Sequence, residues 1–230
     1  MKRKLDMAGY PRRSHFDYFR SMANPYMGLT VEVDVTDFLA EVKARSYPFF
    51  LSFLWCVTRA ANAVPEFRQR IEDGGIVEFD ECRTSHTVAL EDGTYCYCEL
   101  SASAPLPEYI LHAQREQERA KSARSLDDGD DGLDLLFISS LPWLSYTALA
   151  QPTPSPADSN PRITWGKWFE RGGRRYLPVT VLCNHALVDG VHLARFYAEL
   201  EKWMRIRQSP GSGSRLNRGF LCQAPASSAV

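Results

Sequence analysis

Two stretches of the chain alternate in a way that only helices explain. Phe49 to Ala63 is apolar nearly all round, which predicts a helix central to the core. Pro48 stands at its start, where a missing N–H costs nothing. Val191 to Arg205 repeats Leu193, Phe196, Leu200 and Trp203 at helical spacing and predicts an amphipathic helix. Arg12 to Met22 predicts a short helix with Phe16 and Phe19 on one side, and Thr36 an N-cap for a helix through Ala44. Pro107 to Arg124 is charged, with a weak apolar stripe, and predicts a surface helix.

Between these segments the period changes to two. Leu29 to Val35 alternates apolar and polar residues, the pattern of a half-buried strand. Ser85–Leu90 and Thr94–Leu100 flank Glu91-Asp92-Gly93, and Arg162–Glu170 and Arg174–Cys183 flank Gly172-Gly173, so two hairpins are predicted. Leu133–Ser139 and Leu144–Leu149 read as strands around Pro142. Ser125 to Gly132 is an acidic loop, and Gln151 to Pro161, with four prolines, is another loop. Helices and hairpin-linked strands intermix, which predicts an α+β fold on a mixed β-sheet rather than a doubly wound one.

The 230 residues fit one domain, expected over 1–208. The Ser/Gly/Pro-rich stretch 209–230 reads as a disordered C-terminal tail. A net charge of −1 gives no reason to expect a nucleic-acid or anionic-membrane partner. No apolar run reaches membrane-spanning length, and the basic N-terminus lacks the apolar stretch of a signal peptide, so a cytoplasmic protein is expected. The six cysteines, Cys56, Cys82, Cys96, Cys98, Cys183 and Cys222, show no metal-ligand spacing. They read as free thiols, and no metal is expected.

One segment carries chemistry. Val179 to His185 reads as a strand that delivers a histidine to its end, followed by Asp189-Gly190 and a helix. A histidine at such a junction is rigidly held yet faces a cavity, and its ordinary pKa of about 6.5 suits general-base work. Asp189 reads equally as the N-cap of the following helix. By itself, His-x-x-x-Asp-Gly fits a structural histidine as well as a base.

Asn184 to Phe196 resembles the signature of the chloramphenicol O-acetyltransferase family, His-His-x-x-x-Asp-Gly-x-His-x-x-Arg. Arg12-Arg13-Ser14-His15-Phe16 is similar to that family's N-terminal Arg-x-x-His-Phe motif. Tyr47-Pro48-Phe49 with Pro65-Glu66-Phe67-Arg68, Leu141-Pro142-Trp143 and Ile163-Thr164-Trp165-Gly166-Lys167 match further motifs in order. The resemblance implies a two-layer α+β sandwich and a homotrimer whose active sites lie between subunits. It implies acetyl-CoA or another acyl-CoA as co-substrate and a small-molecule acceptor. His185 would then be the general base, with no covalent acyl-enzyme. Asp189 would pair with Arg12 to brace the loop, and Thr164 would help stabilise the transition state through a water. Trp168 would contact the CoA arm. Phe19, Tyr26 and Met27 would fall in the acceptor pocket.

The chain departs from the family pattern in places. Asn184 replaces the first histidine of the pair. The family's oxyanion-stabilising serine falls on Ala148, and Tyr146 stands where a phenylalanine is usual. The Tyr146 phenol, or a water on Thr164, is a candidate replacement. The loop after Ala148 is shorter than the family's and rebuilt with prolines, which points away from efficient chloramphenicol acetylation. The expected function is therefore acyl transfer, in antibiotic resistance or natural-product biosynthesis. The alternatives are a condensation, cyclisation or elimination on the same scaffold, or a non-catalytic ligand-binding protein.

Overall fold

A computed structural model describes residues 1–126 and 132–205. The predicted tail and Cys222 lie outside the described residues, as does most of the acidic loop.

Helix α1 spans Arg13–Arg20, β2 Tyr26–Asp34, α2 Thr36–Ala44 and α3 Phe49–Asn62, after a short N-terminal strand β1, Lys2–Lys4. Strands β3 (Gln69–Glu72), β4 (Gly75–Phe79), β5 (Arg83–Ala89) and β6 (Tyr95–Leu100) follow, then α4, Leu106–Ala123. The chain closes with β7 (Leu135–Ser140), β8 (Arg162–Trp165), β9 (Phe169–Arg171), β10 (Arg174–Asn184) and α5, Gly190–Met204. The large sheet runs β2-β10-β8-β7-β5-β6, with β9 also on β10. Its β5–β7 and β7–β8 pairs are parallel and the others antiparallel, so the sheet is mixed as predicted. A second sheet, β1-β4-β3, was not foreseen.

The architecture is a two-layer α+β sandwich. Helix α3 is buried from Leu51 to Thr58 and at Ala60 and Ala61, in keeping with its all-round apolar sequence. Phe50 and Phe53 pack on Trp165 of β8, with ring centroids 5.4 and 5.1 Å away. Strand alternation puts Ile163, Trp165, Val179 and Val181 on this helix-covered face. Thr164 and Thr180 therefore lie on the opposite face.

Three local expectations change. Leu144–Leu149 is not a strand: it folds back over Gly166, where an added Cβ would lie 2.6 Å from the Leu144 carbonyl oxygen and 2.9 Å from the Tyr146 ring. Lys167 N–H donates to that carbonyl at 2.6 Å, which draws residues 166–168 out of the sheet and splits the predicted Arg162–Glu170 strand into β8 and β9. Thr36 is not the N-cap: Val35 holds that position, while the Thr36 N–H and hydroxyl both donate to Asp34 Oδ1.

His86 on β5 is 1% exposed, and its ring lies 5.4 Å from that of Phe50. Burial pushes its pKa down to about 4. The folded chain therefore holds His86 neutral, while an unfolded one takes up a proton near pH 6.5. The contribution is complete above pH 6.5 and is lost as the pH falls toward 4, by about 3 kcal/mol at most. Urea unfolding at pH 7 and pH 5 tests this: His86→Gln is expected to lose less stability between the two than the parent chain.

Candidate active site

The end of β10 is shaped by side chains from both ends of the sequence. Asn184 builds the turn: its Oδ1 accepts from Ala186 N at 3.0 Å, and its carbonyl accepts from Leu187 and Val188 N at 3.1 and 3.0 Å. Its Nδ2 donates to the Asp158 carbonyl at 2.9 Å. His185 N donates to the Pro25 carbonyl at 2.7 Å, and Phe19 stacks on the imidazole with centroids 3.8 Å apart and planes inclined by 29°. His185 Nδ1 lies 2.9 Å from the Val188 carbonyl oxygen. A carbonyl only accepts, so Nδ1 carries the proton and Nε2 keeps a free lone pair. The ring is half-buried.

Arg12 holds the far side of the turn. Its Nη1 donates to the Leu187 carbonyl, and its Nη2 lies 3.0 Å from Asp189 Oδ2. Asp189 also caps α5, with Oδ1 accepting from Val191 N at 3.1 Å. Its two readings from sequence, cap and brace, are thus both present. His192 completes a capping box: its Nδ1 accepts from Asp189 N at 3.0 Å, and its Nε2 lies 3.3 Å from Glu66 Oε1. Burial lowers the His192 pKa, consistent with a neutral ring protonated at Nε2.

Tyr26 and Met27 lie beside this turn on β2, opposite Asn184 and Cys183. The Tyr26 hydroxyl is committed: it donates to Asp158 Oδ1 and accepts from Asp158 N, both at 2.9 Å. Burial and the Asp158 carboxylate push its pKa up to about 12. Arg162 grips Asp158 bidentately at 2.9 and 2.7 Å. Tyr26 is thus part of the wall behind His185 rather than a free polar group.

The remaining expected residues gather elsewhere. Thr164, 2% exposed, donates its hydroxyl to Gln151 Oε1 at 3.0 Å. Tyr146 donates to the Thr164 carbonyl at 3.0 Å. Ala148 is exposed on the loop. Trp168, 38% exposed, lies in the bend between β8 and β9, with the Arg175 guanidinium 5.0 Å from its ring centre. In register Thr164 is opposite Thr180, five residues before His185 on β10. At about 3.3 Å per residue, that places the two backbones roughly 16 Å apart along the strand. Within one chain the expected residues thus form two separate groups: His185, Asp189, Arg12 and Phe19 in one, and Thr164, Tyr146 and Gln151 in the other.

Asn184, Asp158 and Glu66 also hold the turn, beyond the residues expected there. Asn184 was visible as a departure, and Glu66 sat within the Pro-Glu-Phe-Arg match. Asp158 lay in a loop with no pattern to mark it.

A mixed sheet with a helix layer on one face thus carries a histidine just past the end of β10. A family model for chloramphenicol acetyltransferase matches residues 2–201. The chain is 29% identical over 202 residues to the chloramphenicol acetyltransferase of Klebsiella sp, covering 86% of this chain and 92% of that protein. It is 30% identical over 204 residues to that of Streptomyces acrimycini, covering 86% and 91%. A solved chloramphenicol acetyltransferase superposes with a TM-score of 0.77 at 26% identity, over 89% of this chain and all of the other. The chain belongs to the chloramphenicol acetyltransferase family and is an acyltransferase.

The Arg12 contacts are expected to set the rigidity of the turn. Arg12→Gln should lower the free energy of unfolding by about 1.5–3 kcal/mol, the range for hydrogen bonds to charged groups. Hydrogen exchange should show residues 185–189 losing protection before the rest of the sheet.

Proposed function

We propose that the chain transfers an acyl group from a CoA thioester, with acetyl-CoA the expected donor, to a hydroxyl or amine of a small molecule in the cytoplasm. The observation that carries this reading is the His185 ring, fixed through Nδ1–H on the Val188 carbonyl, so that in the neutral ring Nε2 holds the lone pair. Nε2 takes the proton of the acceptor hydroxyl as its oxygen bonds to the thioester carbonyl carbon. The C=O electrons move onto oxygen, giving a tetrahedral oxyanion. Collapse restores the C=O and breaks the C–S bond, and the departing CoA thiolate recovers the proton from His185. No acyl-enzyme and no metal enter. Arg12 and Asp189 hold the turn and Phe19 the ring, and Met27 is the group offered to the acceptor from β2. Trp168, partly exposed, is the group offered to the CoA arm.

The reaction is read by release of CoA thiol from acetyl-CoA across a panel of hydroxylated acceptors that includes chloramphenicol. His185→Ala should lose at least about 100-fold in rate, the lower end for general-base catalysis. Chloramphenicol should be a poor acceptor, because the segment after Ala148 is rebuilt. Unchanged thiol release in His185→Ala would overturn the assignment of the base, and rapid chloramphenicol turnover would overturn the acceptor preference.

The separation of the two groups favours a homotrimer in which the Thr164 group of one copy faces His185 of the next. Co-refolding inactive His185→Ala chains with inactive Thr164→Val chains should then restore activity, because mixed oligomers contain interfaces with both residues intact. A site confined to one chain would yield none.

A further inference from the structure

The face of the large sheet away from the helices carries hydroxyls at one register on four strands: Thr30, Thr180, Thr164 and Ser139. The protons of the first three can be followed. Thr30 and Thr180 share a hydrogen bond of 2.7 Å, Thr180 donates to the Tyr146 hydroxyl at 3.3 Å, and Tyr146 donates to the Thr164 carbonyl at 3.0 Å. The Thr164 hydroxyl donates to Gln151 Oε1 at 3.0 Å. Each hydroxyl has one proton, so all four are spent. The Tyr146 phenol in particular has no proton left for a ligand, which weighs against it as the replacement for the missing serine.

The donors of this cluster not spent on the row are the Ser139 hydroxyl and the two N–H bonds of Gln151. Its Nε2 is buried and has no hydrogen-bond partner among the described residues. Gln151 and Pro152 wall a cavity of about 380 Å³ on this face, lined also by Ser85, Thr87, Tyr97, Ser139 and Arg162. A buried N–H left without a partner costs about 1–3 kcal/mol, which a ligand oxygen would recover. Thr164 pins the amide oxygen, so the nitrogen lies on the other side of Cδ. Gln151 and Pro152 belong to no helix or strand.

We propose that Gln151 Nε2 is the hydrogen-bond donor that meets the acyl oxygen of the bound thioester and the oxyanion formed from it. The proposal rests on the acyl-transfer reading above and on Thr164 lying at its reacting centre. Charge grows on that oxygen as the acceptor attacks and leaves it as the C–S bond breaks, so a fixed neutral donor there stabilises the transition state more than the ground state. The amide takes this role where Ala148 offers no hydroxyl.

Gln151→Glu separates donor from scaffold, since it keeps an acceptor for Thr164 and removes both N–H bonds. With acetyl-CoA and the best acceptor of the panel, kcat should fall about 100-fold while KM for acetyl-CoA stays within about threefold. Gln151→Leu should behave alike. A second measurement needs no turnover: calorimetric binding of the acetyl-CoA ketone in which a methylene replaces the sulfur. Gln151→Leu should weaken this ketone about tenfold and leave CoA, which lacks the acyl oxygen, unchanged. A kcat within threefold of the parent, or equal effects on ketone and CoA, would overturn the role of Gln151. Failure of the parent chain to bind CoA at all would overturn the acyl-transfer reading, and the role of Gln151 with it.

Discussion

The geometry at the end of β10 hangs on one guanidinium. Arg12 reaches the Leu187 carbonyl and the Asp189 carboxylate across 175 residues of sequence, and so spans the turn that presents His185. A lysine could not make both contacts from one planar group. The N-terminal segment closes on the same turn twice more, through the Pro25 carbonyl on His185 N and through the Phe19 ring. The histidine is held at its backbone, its Nδ1 and its face, and only Nε2 is left uncommitted.

The two faces of the sheet differ in chemical character. Trp165 and Ile163 anchor the helix layer on one side. The residue between them, Thr164, belongs to the hydroxyl row on the other. That alternation follows from the strand period alone. Gly166 then lets residues 144–146 cross close to the sheet, and this brings the Tyr146 hydroxyl onto the row. The loop beyond, with its prolines, delivers Gln151 to the Thr164 hydroxyl.

Asp189 and His192 show how one short motif meets several demands. The aspartate caps α5, pairs with Arg12 and takes part in a capping box with His192, which in turn leans on Glu66. A histidine that is itself buried beside two carboxylates thus shares in the placement of the half-buried His185. The lowering of its pKa by burial keeps it in the neutral form that can accept from Asp189 N.

The sequence by itself determined the core helix, the terminal amphipathic helix, both hairpins and the histidine at a strand end. These depend on local period and on turn residues such as Gly172-Gly173, which act over a few neighbours. It also carried the ordered motifs of the family. It did not determine the fate of Leu144–Leu149, whose apolar alternation suits a strand, because a close approach to Gly166 outweighs local preference. Nor did it show that Tyr26 spends its hydroxyl on Asp158, or that Gln151 keeps two donors unspent. Only the tertiary structure decided these, because a hydrogen-bond partner is fixed by which distant backbone comes near, and no periodicity along the chain records that.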